Sequence, residues 1–238
     1  MKLNLNLKHQ DLAWRFQISI STASYLINKA VPENANKLKF MIRWPSKSDI
    51  LCMMTLKFKR LYPKCHVIID CTDIFVERAS NLTASAMLYS HYKSHPMIKL
   101  LNGITLTGAD SFVLKAWVGW ASDKVITVRS ELLDLVEPGD QVMADRGFFV
   151  DEALAAKNAS VIIPAFNQGQ KQMLAKSVED SRQQSTLRIH VERFNKRLKN
   201  FHILSSKMPL VMVPHADSVV TICAAICNMY PRLARKST

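Results

Sequence analysis

At 238 residues and 48% hydrophobic content, the chain is long enough to bury a core without staples. Its five cysteines contain no C-x-x-C pair, so neither a zinc knuckle nor a disulfide framework is indicated; no stretch reads as a membrane span, and the start M-K-L-N-L-N-L-K lacks a signal-peptide core, so the chain reads as intracellular and soluble. The 32 Lys and Arg against 19 Asp and Glu give a net charge of +13, which makes a polyanion the default partner.

That charge is uneven. Residues 1–60 hold 11 basic and 3 acidic residues, so +8 of the +13 sits there. His9 to Val31 reads as two short helices around Gln17-Ile18-Ser19, with Leu12 and Phe16 one turn apart on the first. Ser19 is the natural N-cap of the second, Ile20 to Ala30, whose Ala23, Leu26, Ile27 and Ala30 share one face. Ser21, Thr22, Ser24, Tyr25 and Asn28 then point elsewhere. This layout fits a helix-turn-helix whose second helix enters the DNA major groove, and equally an αα-hairpin that only packs; the local charge favours DNA. Ser46 to Arg60 reads as a linker helix capped by Ser46 or Ser48, and the domain boundary is expected here, with 1–60 as the DNA-binding segment and 61–238 as the second domain.

Val67, Ile68 and Ile69 form a β-branched run without alternation, which fits a central strand covered on both faces. The run ends at Asp70. An isolated Asp there reads as the start of an Asx turn through Asp73, or as a ligand-binding carboxylate at a strand end. Were the strand to continue, Thr72 would lie on the side of Asp70, Asp73 would point away and Glu77 would lie well beyond. Two apolar runs, Ile98 to Thr105 and Ser111 to Trp117, flank the hairpin signal Thr107-Gly108-Ala109-Asp110. Ser122 to Val136 reads as a helix stopped by Pro138-Gly139, and Asp123 in its first turn suits the helix dipole. Gln141 to Ala144 is a fourth strand, again ending in a carboxylate, Asp145, followed by Arg146. Asp151 to Asn158 is a helix, Ser160 to Phe166 a fifth strand, Lys171 to Phe201 a long helical region and His215 to Tyr230 a final packed helix. Three strands, helix, strand, helix, strand and then helices is the order of an RNase H-like α/β fold, a mixed five-stranded sheet flanked by helices.

In such a sheet the ends carrying Asp70 and Asp145 can be neighbours. On the long helix Arg188, Glu192 and Lys199 fall at i, i+4 and i+11 and share one face, either as a salt-bridged solvent face or as the source of a third carboxylate. Asp70, Asp145 and Glu192 brought together would require cations. Two Mg²⁺ or Mn²⁺ ions would neutralise them and clamp the oxygens of an in-line phosphoryl displacement, with Arg188 and Lys199 on the phosphate backbone. Arg146 would hold a phosphate or pair with the acids, and His190 lies on a different helix face from Glu192. Tyr89, Tyr92, Trp117 and Trp120 are candidates to stack on unpaired bases or to pack in the core.

The blocks I-I-D-C-T-D-I-F-V-E-R at 68–78, Y-S-H-Y-K at 89–93, W-V-G-W-A-S-D-K at 117–124, P-G-D-Q-V-M-A-D-R-G-F at 138–148, I-P-A-F at 163–166 and R-I-H-V-E-R at 188–193 carry a likeness over nearly the whole chain. Together they resemble the DDE-superfamily transposases of the Harbinger-like type; Ser185 stands where relatives with the Arg, Glu, Lys pattern often carry Tyr. The resemblance implies an RNase H-like core, the metal-binding triad Asp70, Asp145 and Glu192, and cut-and-paste cleavage and joining of double-stranded DNA at transposon ends. It also implies a nuclear location, a homo-oligomer that pairs two ends, and in many relatives a separate DNA-binding protein partner. Two other readings remain beside an active nuclease: a domesticated, catalytically silent DNA-binding protein, and a helix-turn-helix regulator with a small-molecule domain.

Overall fold

The computed structural model describes residues 1–113, 115–145, 147–163, 189 and 191–231. Its centre is strand β1, Cys65–Phe75, in an order set by hydrogen bonding: β2 (Tyr89–Ser90), β3 (His95–Ile104), β1, β6 (Gln141–Met143), β7 (Ser160–Ile162). Strands β4 (Asp110–Val113) and β5 (Trp117–Val118) also pair with β3, making seven strands among the described residues where five were expected. Each of the five expected strands has a counterpart, the fifth as Ser160–Ile162, with 164–166 of that expectation outside the described residues. The additions are Tyr89–Ser90 and a split of Ser111 to Trp117 into two pieces, each antiparallel to β3.

The sheet is mixed, and β1 is where it changes. On one side β1 runs antiparallel to β3 from Ile68↔Ile104 to Phe75↔Met97; on the other it runs parallel to β6, and that ladder stops at Ile68↔Met143. The strand therefore continues past Asp70, which pairs with Asn102. This overturns the turn expected at Asp70 to Asp73: the long-range ladder to β3 holds those residues extended.

Each face of β1 packs on its own apolar cluster. Ile68, Ile74, Leu100 and Ile104 meet Phe194 and Leu198 of helix α10 (191–198) and the buried side of α12 (Ala216–Met229). Val67, Ile69 and Leu101 meet Phe112, Ile126, Leu132 and Phe148. The stretch Leu210–Met229 does reach the length and apolarity of a membrane span, unlike the sequence reading, but half of it is buried in the protein. Val219, Val220, Cys223 and Ala224 sit in the larger cluster, so its apolarity serves the core.

The amino-terminal helices are α1 (Lys2–Leu5), α2 (His9–Phe16) and α3 (Ile20–Leu38). Helix α3 runs eight residues past the expected Ala30, through Pro32. An interior Pro costs about 3 kcal/mol. Here it is offset because Val31 and Ala35 are buried in the larger core, with Ile27 packed against it. The inward face is thus Ala23, Ile27, Val31 and Ala35, while Leu26 and Ala30 are exposed. The helix expected over 46–60 is two, α4 (Lys47–Met53) and α5 (Leu56–Leu61), because Thr55 caps a new start. The one expected over 122–136 is likewise α7 (Asp123–Val128) and α8 (Leu132–Leu135), interrupted where Ser130 Oγ donates to Thr127 O. Helices α6 (Leu82–Leu88), α9 (Asp151–Ala155) and α11 (His202–Ser205) complete the chain's described helices.

Candidate active site

The parallel ladder between β1 and β6 ends at Ile68 and Met143, and two residues on along each strand stand Asp70 and Asp145. Both are half-buried. Alternation puts Asp70 on the same face as Ile68, the face covered by α10. Asp145 is fixed from behind: Ala144 N–H donates to Ile162 O at 3.1 Å, Phe148 N–H donates to Asp145 O at 3.2 Å, and the Phe148 ring is buried in the second cluster.

The side chain that reaches Asp70 from α10 is Asn195. Its Nδ2 donates to Asp70 Oδ2 at 2.7 Å, and its Oδ1 accepts from Thr72 Oγ1 at 3.0 Å. Behind them Asn102 Nδ2 donates to Thr72 Oγ1 at 3.2 Å, with Asn102 fully buried. Glu192 is exposed and lies three residues before Asn195, about 4.5 Å along the helix axis. Among the described residues no three His, Cys, Asp or Glu side chains stand close enough together to hold an ion. Asp70 and Asp145 thus supply two hard carboxylate donors just beyond the end of the β1–β6 ladder, a donor chemistry that suits a hard divalent cation. Glu192, the third acid expected from the sequence, lies one turn from the group that touches Asp70. Lys199 is exposed, one turn beyond Asn195; Arg146, Arg188 and His190 lie outside the described residues.

The opposite face of β1 carries a second polar group. Lys99 Nζ donates to Asp123 Oδ1 at 3.0 Å, and a Cβ on Gly147 would stand 3.8 Å from Asp123 Oδ2. Asp123 therefore lies beside the loop that follows Asp145. It does more than meet the helix dipole. Burial pushes the Cys71 thiol well above its ordinary range, and the nearby carboxylates of Asp123 and Asp70 push it further. Cys71 is no thiolate nucleophile.

In the amino-terminal helices Ser19 caps α3, accepting from Thr22 N at 3.0 Å. Ser21, Thr22, Tyr25 and Asn28 are all exposed, beside exposed Trp14 and Phe16 of α2. Of the stacking candidates, Tyr92 and Trp120 are exposed, while Trp117 packs against the second cluster.

Sequence reasoning missed Asn195 and Asn102. The available signal was Thr72, placed beside Asp70 by alternation: a polar residue on a buried face requires partners on whatever covers it.

Residues 69–228, about two thirds of the chain, match the family described as DDE superfamily endonuclease. The matched span begins one residue before Asp70 and includes Asp145 and Glu192. No curated protein and no solved structure matches the chain.

Proposed function

Because the chain belongs to the DDE superfamily endonucleases, we propose that it is a metal-dependent DNA endonuclease and transposase of the Harbinger-like type, which cleaves and joins DNA strands. Membership implies DNA as the substrate. The observation that carries the reading is the pair of carboxylates, Asp70 and Asp145, two residues beyond the end of one parallel ladder. Glu192 is the third ligand, brought by the helix whose Asn195 already bonds Asp70. The strand order supports an RNase H-like sheet: the first long strand is central, the next two lie antiparallel on one side, and the last two lie parallel on the other.

Asp70, Asp145 and Glu192 would hold two Mg²⁺ or Mn²⁺ ions, which activate the attacking oxygen and stabilise the leaving one. The chain's own work is to fix the carboxylates before substrate arrives. Asp70 is held by a paired strand and by Asn195, Asp145 by the buried Phe148, whose N–H donates to Asp145 O. Lys199, Arg188 and Arg146 take backbone phosphates. We assign residues 1–60 to DNA binding, through a helix-turn-helix of α2 and α3 that presents Ser21, Thr22, Tyr25 and Asn28. Two copies of the chain, with or without a separate DNA-binding protein, pair the two transposon ends in the nucleus.

Nicking of supercoiled DNA in Mg²⁺ or Mn²⁺ tests this. Asp70→Ala, Asp145→Ala and Glu192→Ala each abolish nicking while DNA binding persists; nicking at the wild-type rate in all three overturns it. A second reading, a catalytically silent DNA-binding protein, draws on the absence of a three-carboxylate group among the described residues. Salt-sensitive DNA binding without nicking by the wild-type chain in either ion decides for that one.

A further inference from the structure

We propose that Asn195 is a positioning residue for Asp70, locked in its donating orientation by Thr72 and Asn102. The inference rests on Asp70 being a metal ligand.

Four hydrogen bonds of fixed polarity join these side chains: besides the three above, Asn102 Nδ2 also donates to Asn195 Oδ1 at 3.5 Å, the longest of them. An amide NH₂ only donates, so Asn102 Nδ2, 3.2 Å from Thr72 Oγ1, takes up a lone pair of that hydroxyl. The single Thr72 proton is then directed to Asn195 Oδ1 at 3.0 Å. A carboxamide that turns its oxygen to Thr72 turns its nitrogen the other way, and Asn195 Nδ2 meets Asp70 Oδ2 at 2.7 Å. Reversed, the amide would set oxygen against oxygen at that distance. Asn102 faces Asp70 across the β1–β3 ladder and Thr72 is two residues further along β1, so the strand register itself aligns the relay. Asn102 and Thr72 are buried at 0% and 4% exposure, where water does not compete for these groups.

The Asp70 carboxylate is thereby restrained against rotation before a cation arrives, which is how partners behind a ligand raise metal affinity.

The test is calorimetric titration of Mn²⁺ into the full-length wild-type chain and into Asp70→Ala, Asn195→Ala, Thr72→Val and Thr72→Ser, with a melting curve for each to verify folding. Asn195→Ala and Thr72→Val are each expected to weaken Mn²⁺ binding by about tenfold. The double variant falls no further than the weaker single one, because both break one relay. Thr72→Ser, which restores the hydroxyl, stays within about twofold of wild type, a rescue that loss of packing alone would not give. Wild-type affinity in folded Asn195→Ala and Thr72→Val, with binding lost in Asp70→Ala, overturns the positioning role and leaves the metal site standing. Wild-type affinity in Asp70→Ala instead overturns the metal site, and the positioning role with it.

Discussion

The Trp44 indole lies flat on the His66 imidazole, ring centroids 4.5 Å apart and planes within 10° of parallel. The stack joins the basic amino-terminal region to the start of β1. His66 Nε2 donates to Pro45 O at 3.1 Å, and Nδ1 stands 3.6 Å from Asp140 Oδ2, whose carboxylate also pairs with Lys47. Burial lowers the His66 pKa; Asp140, the Pro45 carbonyl and Glu137 oppose that, and Lys47 adds to it. The folded protein thus favours the neutral ring. Below the ordinary value near 6.5 the unfolded chain takes up a proton that the folded one resists, so stability is complete above 6.5 and is lost as pH falls through the lowered folded value. The melting temperature is expected to drop between about pH 7 and pH 5, and His66→Phe, which keeps the stack, to flatten part of that slope. An unchanged slope in the variant removes His66 from the account.

Asp110 gives the opposite sign. It is 2% exposed, its Oδ2 is without a hydrogen-bond partner, and burial raises its pKa well above the ordinary carboxyl value near 3.8, with the Phe112 N–H pulling slightly the other way. The unfolded chain releases this proton above 3.8 while the folded chain keeps it, so the group erodes stability as pH rises from there. Asp110→Asn keeps an acceptor for Phe112 N–H and cannot ionise. Its melting temperature should exceed wild type at neutral pH and converge with it near about pH 4.

Backbone proximity singles out Gly119. A Cβ there would lie 2.5 Å from Leu88 O, at the end of α6, and 2.8 Å from Met97 O, in β3. Gly119→Ala is expected to cost about 1–3 kcal/mol in urea denaturation. Gly147→Ala, whose nearest contact would be 3.8 Å away, should leave the denaturation midpoint nearly unchanged.

DNA affinity should fall steeply with salt. Lys29→Gln, on the exposed side of α3 next to Asn28, is expected to reduce the slope of log affinity against log salt by about one. Tyr25→Ala should weaken affinity and leave that slope alone, because an uncharged side chain releases no counterion. Fluorescence anisotropy at several salt concentrations reads both, and equal slopes for wild type and Lys29→Gln remove α3 from the phosphate contacts.

The strand starts and the helix caps were legible because they are local. Runs such as V-I-I and Q-V-M needed no partner to be read, and Ser19, Ser46 and Ser122 each cap the helix that their position announced. Asp70 and Asp145 stood out for the same reason, as carboxylates that follow apolar runs. The length of β1 was not, since what keeps Asp70 to Phe75 extended is β3, more than twenty residues away. Nor was Asn195: the charge pattern on its helix drew attention to Glu192 and Lys199, and an uncharged amide acquires its role only when the helix lies across Thr72. The passage of α3 through Pro32 was hidden because local propensity opposes it and only burial of Val31 and Ala35 overrides it.

The 125 residues between Asp70 and Asn195 also set a timetable for synthesis. The roof over Ile68, Ile74 and Leu100 comes from 191–198 and from α12, so it leaves the ribosome long after the strands it covers. At 5–20 residues per second that interval is roughly 6–25 s. Throughout it a β-branched face stands open to other chains, which makes nascent protein the form that most needs a chaperone. A premature stop ahead of Glu192 would make that exposure permanent, and its product should be recovered in aggregates or not at all.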